Sequence, residues 1–254
     1  MALKTVDYDG RQHTVYAAGR AMDEDVRAGW MRRFAEHLPP ERPLPMIDLG
    51  SGIGRLTPAL AETFGGPVWG VEPSARMREI AIAAGEPPGV RYVAGEAAQI
   101  PLADDVVGGV LMFLSFHHVP DRAAAAFEIA RVLRPGGRVL ILSGFSDRMD
   151  GMSDWHQFFP RAMEIEREMF PAVGEVLQVF ETAGLKQQAL VRTQVRRWNS
   201  LGEAADRLRL RPYSTFEHLS EDEIAEGQAR LDAAVAAGAP PGPVMGFSDL
   251  LVLG

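Results

Sequence analysis

The stretch Met46–Leu60, "MIDLGSGIGRLTPAL", sets Gly50, Gly52 and Gly54 straight after an apolar run and straight before a helical pattern. A glycine-rich turn between a buried strand and a helix lets a ligand approach the backbone and aims amide N–H groups at it. The spacing is G-x-G-x-G, and Arg55 stands where the third glycine of a dinucleotide fingerprint would fall. Asp48 lies two residues ahead of the first glycine. A carboxylate at that strand end repels a pyrophosphate and attracts an ammonium group. The next apolar run ends in Glu72, a carboxylate able to accept both hydroxyls of a ribose.

Outward from this turn, short apolar runs alternate with helical patterns from Leu44 to Gly144, the pattern of a parallel sheet covered by helices on both faces. Five strands are predicted, over Met46–Leu49, Val68–Glu72, Val90–Ala94, Val106–Phe113 and Arg138–Ser143, each aliphatic enough to be buried on both sides. The helices between them start near Gly54, Ser74 and Asp121, with Ser74 and Asp121 as N-caps. "RPGG", Arg134–Gly137, is expected to stop the last helix and turn the chain into the fifth strand. Beyond it, "AVGEVLQVFETAGL" reads as a sixth helix, "QQALVRTQVRRW" as a strand and "GFSDLLVLG" as a final strand. Residues 199–238, between those two strands, are largely helical in pattern and outside the repeating unit; such excursions usually serve as lids or caps. Ahead of the core, "MDEDVRAGWMRRFAEHL" has the period of an amphipathic helix before the "PPERPLP" break.

At 254 residues the chain is long enough for one large domain with insertions and a substantial core. A formal charge of −8 works against nucleic-acid and anionic-membrane binding and leaves a small molecule as the expected partner. No cysteine occurs, which excludes disulfides, thiolate metal sites and a cysteine nucleophile. No pair of histidines, or histidine and carboxylate, has the spacing of a metal site, and no metal is expected. "MALKTVDYDG" lacks an apolar core of signal-peptide length, and the longest apolar run, Val106–Phe116, is too short to span a bilayer. A cytoplasmic location is the expectation, with monomer and homodimer both open.

An ammonium beside Asp48 and a ribose on Glu72 together describe S-adenosylmethionine. "DLGSGIG", "GVEPSARM", "GEAAQIPLADD", "LMFLSFHHVPD" and "ARVLRPGGRVLI" then follow in the order of the motifs of a known family. In these stretches the chain resembles class I S-adenosylmethionine-dependent methyltransferases of the type 11 small-molecule kind, across Met46–Ser143 almost without gap. The resemblance implies an α/β fold, a Rossmann-like seven-stranded sheet with helices on both faces. Its last strand, Val244–Leu253, would insert antiparallel beside the strand at Leu185–Arg196. It implies an N-terminal helical lid over 1–43, a cofactor-binding core over 44–198 and 239–254, and a helical cap over 199–238. Cofactor contacts are implied for Tyr16 and Arg20 of the lid, and for Asp48, Gly50, Ser51, Gly52 and Gly54 of the turn. They are implied also for Glu72, Pro73 and Met77, for Gly95, Glu96 and Ala97, and for Phe113, Leu114 and His118. The family commonly has Gly-Asp where this chain has Gly95-Glu96; Glu96 still offers an acceptor for an adenine amino group through a longer side chain.

Candidates for the reaction itself lie outside the turn. His117 and His156 are placed where a neutral imidazole could take a proton from a hydroxyl or amine. Packing or a structural role is the competing reading for both. Trp155, Phe159 and Trp198 could wall an apolar substrate or simply pack. Arg192, Arg196, Arg197, Arg207, Arg209 and Arg211 could grip an anionic group, or form a solvated face balanced by Glu203 and Asp206. The expected activity is methyl transfer to a small-molecule acceptor, in-line at the sulfonium methyl, driven mainly by alignment and water exclusion. A protein that binds the cofactor without methylating, or an enzyme that uses it only as an electrostatic element, would keep the same turn and is the alternative.

Overall fold

The computed structural model describes residues 7–150, 154–238 and 242–254. The chain divides into two compact units. A sheet unit is drawn from Met22–Ser143, Gly174–Val191 and Asp249–Gly254, and a helical unit from Met1–Ala21, Gly144–Val173 and Arg192–Ser248.

The strands are β1 (Leu44–Leu49), β2 (Gly65–Glu72), β3 (Val90–Ala94), β4 (Val107–Phe113), β5 (Leu133–Ser143), β6 (Gln187–Trp198) and β7 (Val244–Leu253), in the order β3-β2-β1-β4-β5-β7-β6. The first five pair in parallel, and β7 runs antiparallel to β5, with Ile141 opposite Leu251. This is the expected seven-stranded sheet. All six residues of β1 are buried, as a central parallel strand requires, and Asp48 is the one ionisable group among them.

The helices are α1 (His13–Gly19), α2 (Glu24–His37), α3 (Thr57–Phe64), α4 (Ala75–Ala84), α5 (Arg122–Val132), α6 (Pro160–Met169), α7 (Val173–Thr182), α8 (Leu201–Arg209) and α9 (Glu221–Ala236). Ser74 caps α4 by accepting from the Met77 amide at 3.1 Å, and Asp121 caps α5 by accepting from the Ala124 amide at 2.9 Å. The "RPGG" expectation needs correction: α5 stops at Val132, and Arg134–Gly137 lie inside β5. A register shift takes up the extra residues, since Val107 pairs with Leu133 while Gly109 pairs with Arg138.

Residues 22–43, grouped by sequence with the N-terminal lid, belong to the sheet unit. There α2 buries Trp30, Met31 and Phe34, and the Trp30 ring meets Phe113 edge-on at 5.9 Å. The helical unit has its own apolar core of Trp155, Phe159, Ala162, Trp198, Leu208 and Phe216, joined by Ile224 and Leu231 of α9. Gly227 makes room for it, because a Cβ there would stand 2.2 Å from the Phe159 ring. Met152 and Ser153, part of the aromatic stretch read from sequence, lie outside the described residues. Among the described residues no helix is long and apolar enough to cross a membrane.

Candidate active site

The strand order reverses between β1 and β4, the place where open α/β sheets bind ligands beyond the carboxyl ends of their strands. The glycine turn follows β1 here. Gly50, Gly52 and Gly54 have φ of +76°, +57° and +76°, all in the left-handed region. A Cβ on Gly50 would stand 2.5 Å from Cβ of Ser115, and one on Gly54 would stand 2.1 Å from the Tyr92 hydroxyl oxygen. These two glycines are thus required by the protein's own packing.

The amides of Gly50, Ser51, Gly52 and Gly54 bond within the protein. Those of Gly50 and Ser51 donate to the Val71 carbonyl at 2.8 and 3.3 Å, and that of Gly54 to the Ser51 carbonyl at 3.0 Å. The Gly52 amide donates to Oε2 of Glu72 at 2.9 Å. The turn is closed by internal bonds and forms a rigid platform. The buried hydroxyl Oγ of Ser51 has no hydrogen-bond partner in the structure, a polar atom left for something else.

Glu72 is fixed from both sides, since the Ser74 amide donates to its Oε1 at 2.9 Å while Gly52 holds Oε2. Its orientation is set before any ligand arrives, and a carboxylate oxygen can accept more than one hydrogen bond. Asp48 is 2% exposed, and its Oδ2 accepts from the Thr57 hydroxyl at 2.7 Å. Burial pushes its pKa up to about 6, the Thr57 bond and the Arg55 charge pull it down, and the Glu72 charge pushes it up again. The two carboxylates therefore feel each other across the turn.

Around them, Ser115 donates its hydroxyl to the Leu49 carbonyl at 2.8 Å and ties the loop after β4 to the end of β1. Leu114 in that loop has φ of +57°, an uncommon conformation for a branched residue. His117 and His118 are half-buried with ring centroids 4.0 Å apart, on a short turn anchored by buried Phe116 against Phe180. Phe113 is half-buried, with the Arg55 guanidinium 5.8 Å from its ring. Gly95 sits tightly, since a Cβ would stand 2.7 Å from Pro101. Glu96 is exposed and Ala97 half-buried, and their loop is clamped by Arg131, which donates to the carbonyls of Ile100 and Leu102. Pro73 is exposed, whereas Met77 is 1% exposed and packs inward.

The other candidates are in the helical unit. Arg20 lies 5.7 Å from the Tyr16 ring centroid and 4.4 Å from that of Tyr213. Trp155, Phe159 and Trp198 are 4%, 2% and 3% exposed, and Trp155 stacks on Tyr213 and Phe216 with centroids 5.4 and 5.5 Å apart. Packing accounts for these aromatics. His156 is buried, with Nε2 at 3.0 Å from Oε2 of Glu166, whose Oε1 accepts from the Thr215 hydroxyl at 2.9 Å. Among the described residues no group of histidines and carboxylates could hold a metal ion. Sequence reading missed Arg55, Thr57, Ser115 and Tyr213 as neighbours of the named residues. Only Thr57 left a trace: a hydroxyl nine residues after a buried strand-end carboxylate.

The family model described as "Methyltransferase domain" matches residues 47–141. An O-methyltransferase of Pyrenophora dematioidea is 31% identical over 147 residues, 54% of this chain and 55% of that protein. The chain spans about half the length, or less, of the first curated relatives it matches. A solved structure from Anabaena variabilis, named as a methyltransferase from an antibiotic biosynthesis pathway, has a TM-score of 0.71 at 20% identity, covering 92% of this chain and 98% of that one. Another, phosphoethanolamine N-methyltransferase 2 of Haemonchus contortus in complex with phosphomonomethylethanolamine and S-adenosylhomocysteine, has a TM-score of 0.60 at 17% identity, covering 94% of this chain and 56% of that one. Residues 47–141 thus match a methyltransferase domain, and the β3-β2-β1-β4-β5-β7-β6 sheet belongs to a fold shared with solved methyltransferase structures.

Proposed function

We propose that this protein is an enzyme that methylates a small-molecule acceptor in the cytoplasm, with S-adenosylmethionine as the methyl donor. The observation that carries this reading is the pair of buried carboxylates, Asp48 and Glu72, at the ends of adjacent parallel strands around a G-x-G-x-G turn. That donor set fits the cofactor: Glu72 suits two ribose hydroxyls, Asp48 suits an ammonium, and the Ser51 hydroxyl is a buried polar atom awaiting a partner. A dinucleotide would bring a pyrophosphate toward the same carboxylates. The relative named an O-methyltransferase and the fold neighbour holding S-adenosylhomocysteine support the reading.

When bound, the cofactor supplies an already activated methyl group, so the chain's own residues mainly bind, orient and exclude water. Glu72 would orient the ribose because its carboxylate is held by two backbone donors. Asp48 would act chiefly through its charge, since the side chain is almost wholly buried. Gly95, Glu96, Ala97, Phe113, Leu114 and His118 remain cofactor candidates under this proposal. His117 would serve as base when the acceptor is a hydroxyl or a protonated amine. His156, bonded to Glu166, would serve as a structural residue.

Calorimetry with S-adenosylmethionine, S-adenosylhomocysteine and NAD tests the cofactor, and a screen of acceptors with methyl-labelled cofactor tests transfer. Binding of the first two and label transfer to a small molecule are expected. Tight NAD binding with no response to S-adenosylmethionine overturns the proposal.

A further inference from the structure

The outward face of α5 carries almost no charge. Ala123 and Phe127 are exposed one turn apart, Ala124 and Ala130 flank them half-buried, and Ile129 and Val132 face the core. Phe127 is 54% exposed, the most exposed large apolar side chain among the described residues. An exposed helix face ordinarily carries polar or charged side chains. Those of α5 are turned elsewhere. Arg122 lies over the Phe116 ring at 5.7 Å, and Glu128 accepts from the Ile100 amide at 2.8 Å and pairs with Arg131 at 2.7 Å. Arg131 in turn donates to the carbonyls of Ile100 and Leu102 and pairs with Asp104. Phe127 is left as a knob among alanines, small enough to let another helix approach.

The two ends of this stripe carry opposite charges. Asp121, six residues ahead of Phe127, is exposed and caps the helix through Oδ1. Arg134, seven residues after Phe127, is exposed just past the helix. Neither enters an ion pair among the described residues. A stripe that is acidic at one end and basic at the other complements its own inverted copy. Half a turn about an axis near Phe127 sets Asp121 against the partner's Arg134, and Arg134 against the partner's Asp121, while each Phe127 ring meets the alanines of the facing helix. The two helix dipoles then also lie head to tail. A parallel approach would set like charge on like.

We propose that α5 is a self-association surface, on which two copies of this chain pack their α5 helices antiparallel about a two-fold axis near Phe127. The helix has 11 residues, about 16 Å of length, so the contact is smaller than a standard interface and the dimer is weak and reversible. This proposal does not depend on the reaction that the protein catalyses.

Sedimentation velocity on the full chain, from about 1 to 500 µM, tests it. The wild type is expected to be monomeric at the lower end and increasingly dimeric toward the upper. Phe127→Gln should weaken the dimer by at least roughly tenfold, because two rings leave the contact. Arg134→Glu should weaken it by roughly threefold or more, because it sets an acid against Asp121 in two places. Asp121→Asn keeps a capping oxygen and removes the charge, so adding it to Arg134→Glu should recover part of that loss. The two charge variants lie on the surface and keep the test decisive if Phe127→Gln does not fold. A wild type that stays monomeric throughout overturns the proposal and leaves the stripe to a partner of another kind. A dimer that Phe127→Gln or Arg134→Glu leaves unchanged overturns it too, because its interface then lies elsewhere. So does a double variant that dimerises no better than Arg134→Glu alone, because the two charges then do not meet.

Discussion

The hydroxyl of Thr57 donates to Oδ2 of Asp48 across 2.7 Å, in a place where neither side chain is open to water. The bond lowers the pKa of a carboxylate that burial has raised to about 6, but does not restore it to 3.8. Because the folded value lies above the unfolded one, the native state holds a proton that the unfolded chain has lost. The stability from this group is complete below about pH 4 and is lost as the pH rises through 6. Ionised Asp48 thus costs the ligand-free fold on the order of 3 kcal/mol at neutral pH.

Asp48→Asn should accordingly melt at a higher temperature than the wild type at pH 7.5 without ligand, and the gain should shrink as the pH falls toward 4.5. The same variant should bind S-adenosylhomocysteine at least roughly tenfold more weakly, because an ammonium loses its counter-charge. Melting curves at several pH values check the first part. A variant less stable than wild type at pH 7.5 would show that the carboxylate holds the turn together more than it strains it.

For the wild type, affinity for S-adenosylhomocysteine should climb between pH 5 and 7 as Asp48 ionises, with at most about one proton released per ligand bound. Calorimetry in buffers of different ionisation enthalpy measures that release. A flat profile across this range separates Asp48 from the ligand.

Glu72→Gln places an amide nitrogen opposite one of two backbone donors, those of Gly52 and Ser74. It should cost about 1–3 kcal/mol of stability as well as weakening the cofactor by about 1.5–3 kcal/mol. Both losses follow from one carboxylate serving two tasks. Normal binding by a destabilised variant would leave Glu72 as a turn anchor alone.

At Gly54 an added methyl meets both a left-handed backbone and the Tyr92 hydroxyl at 2.1 Å. Gly54→Ala should destabilise by roughly 2–4 kcal/mol, and adding Tyr92→Ala should recover the steric part only, leaving about 1 kcal/mol for the backbone. Denaturant midpoints for the single and double variants form the cycle. Full additivity would mean the ring moves aside freely.

His156→Ala removes a partner from the buried Glu166 carboxylate, so it should lower stability by about 3 kcal/mol and leave the pH–rate profile of the folded enzyme unchanged. His117→Ala should do the reverse, with a rate loss of roughly 10²- to 10⁴-fold on a hydroxyl acceptor and little change in melting temperature. An altered profile for His156→Ala would return that histidine to the chemistry.

The sheet was legible because its parallel strands carry short apolar runs, with Asp48 next to the end of β1 and Glu72 at the end of β2. The caps Ser74 and Asp121 were legible because capping is local. "RPGG" misled because its ending depends on a bulge set by the neighbouring strand. The consumption of the turn's amides by Val71 and Glu72 needed the β1–β2 register, which no local pattern carries. His156 with Glu166 and Thr215, and Arg20 with Tyr213, join residues from separate segments of the chain. Composition and spacing say nothing of such meetings.

The position of β7 bears on how the molecule is made. In chain order it is the last strand, yet it lies between β5 and β6, and residues 199–243 separate β6 from it. While the ribosome works through that interval, β5 has an unfilled edge and β6 has no neighbour to bond. The nascent sheet therefore carries an open seam that β7 seals, which makes the interval between the synthesis of β6 and that of β7 one in which a chaperone, or a misplaced strand from another chain, competes for the gap.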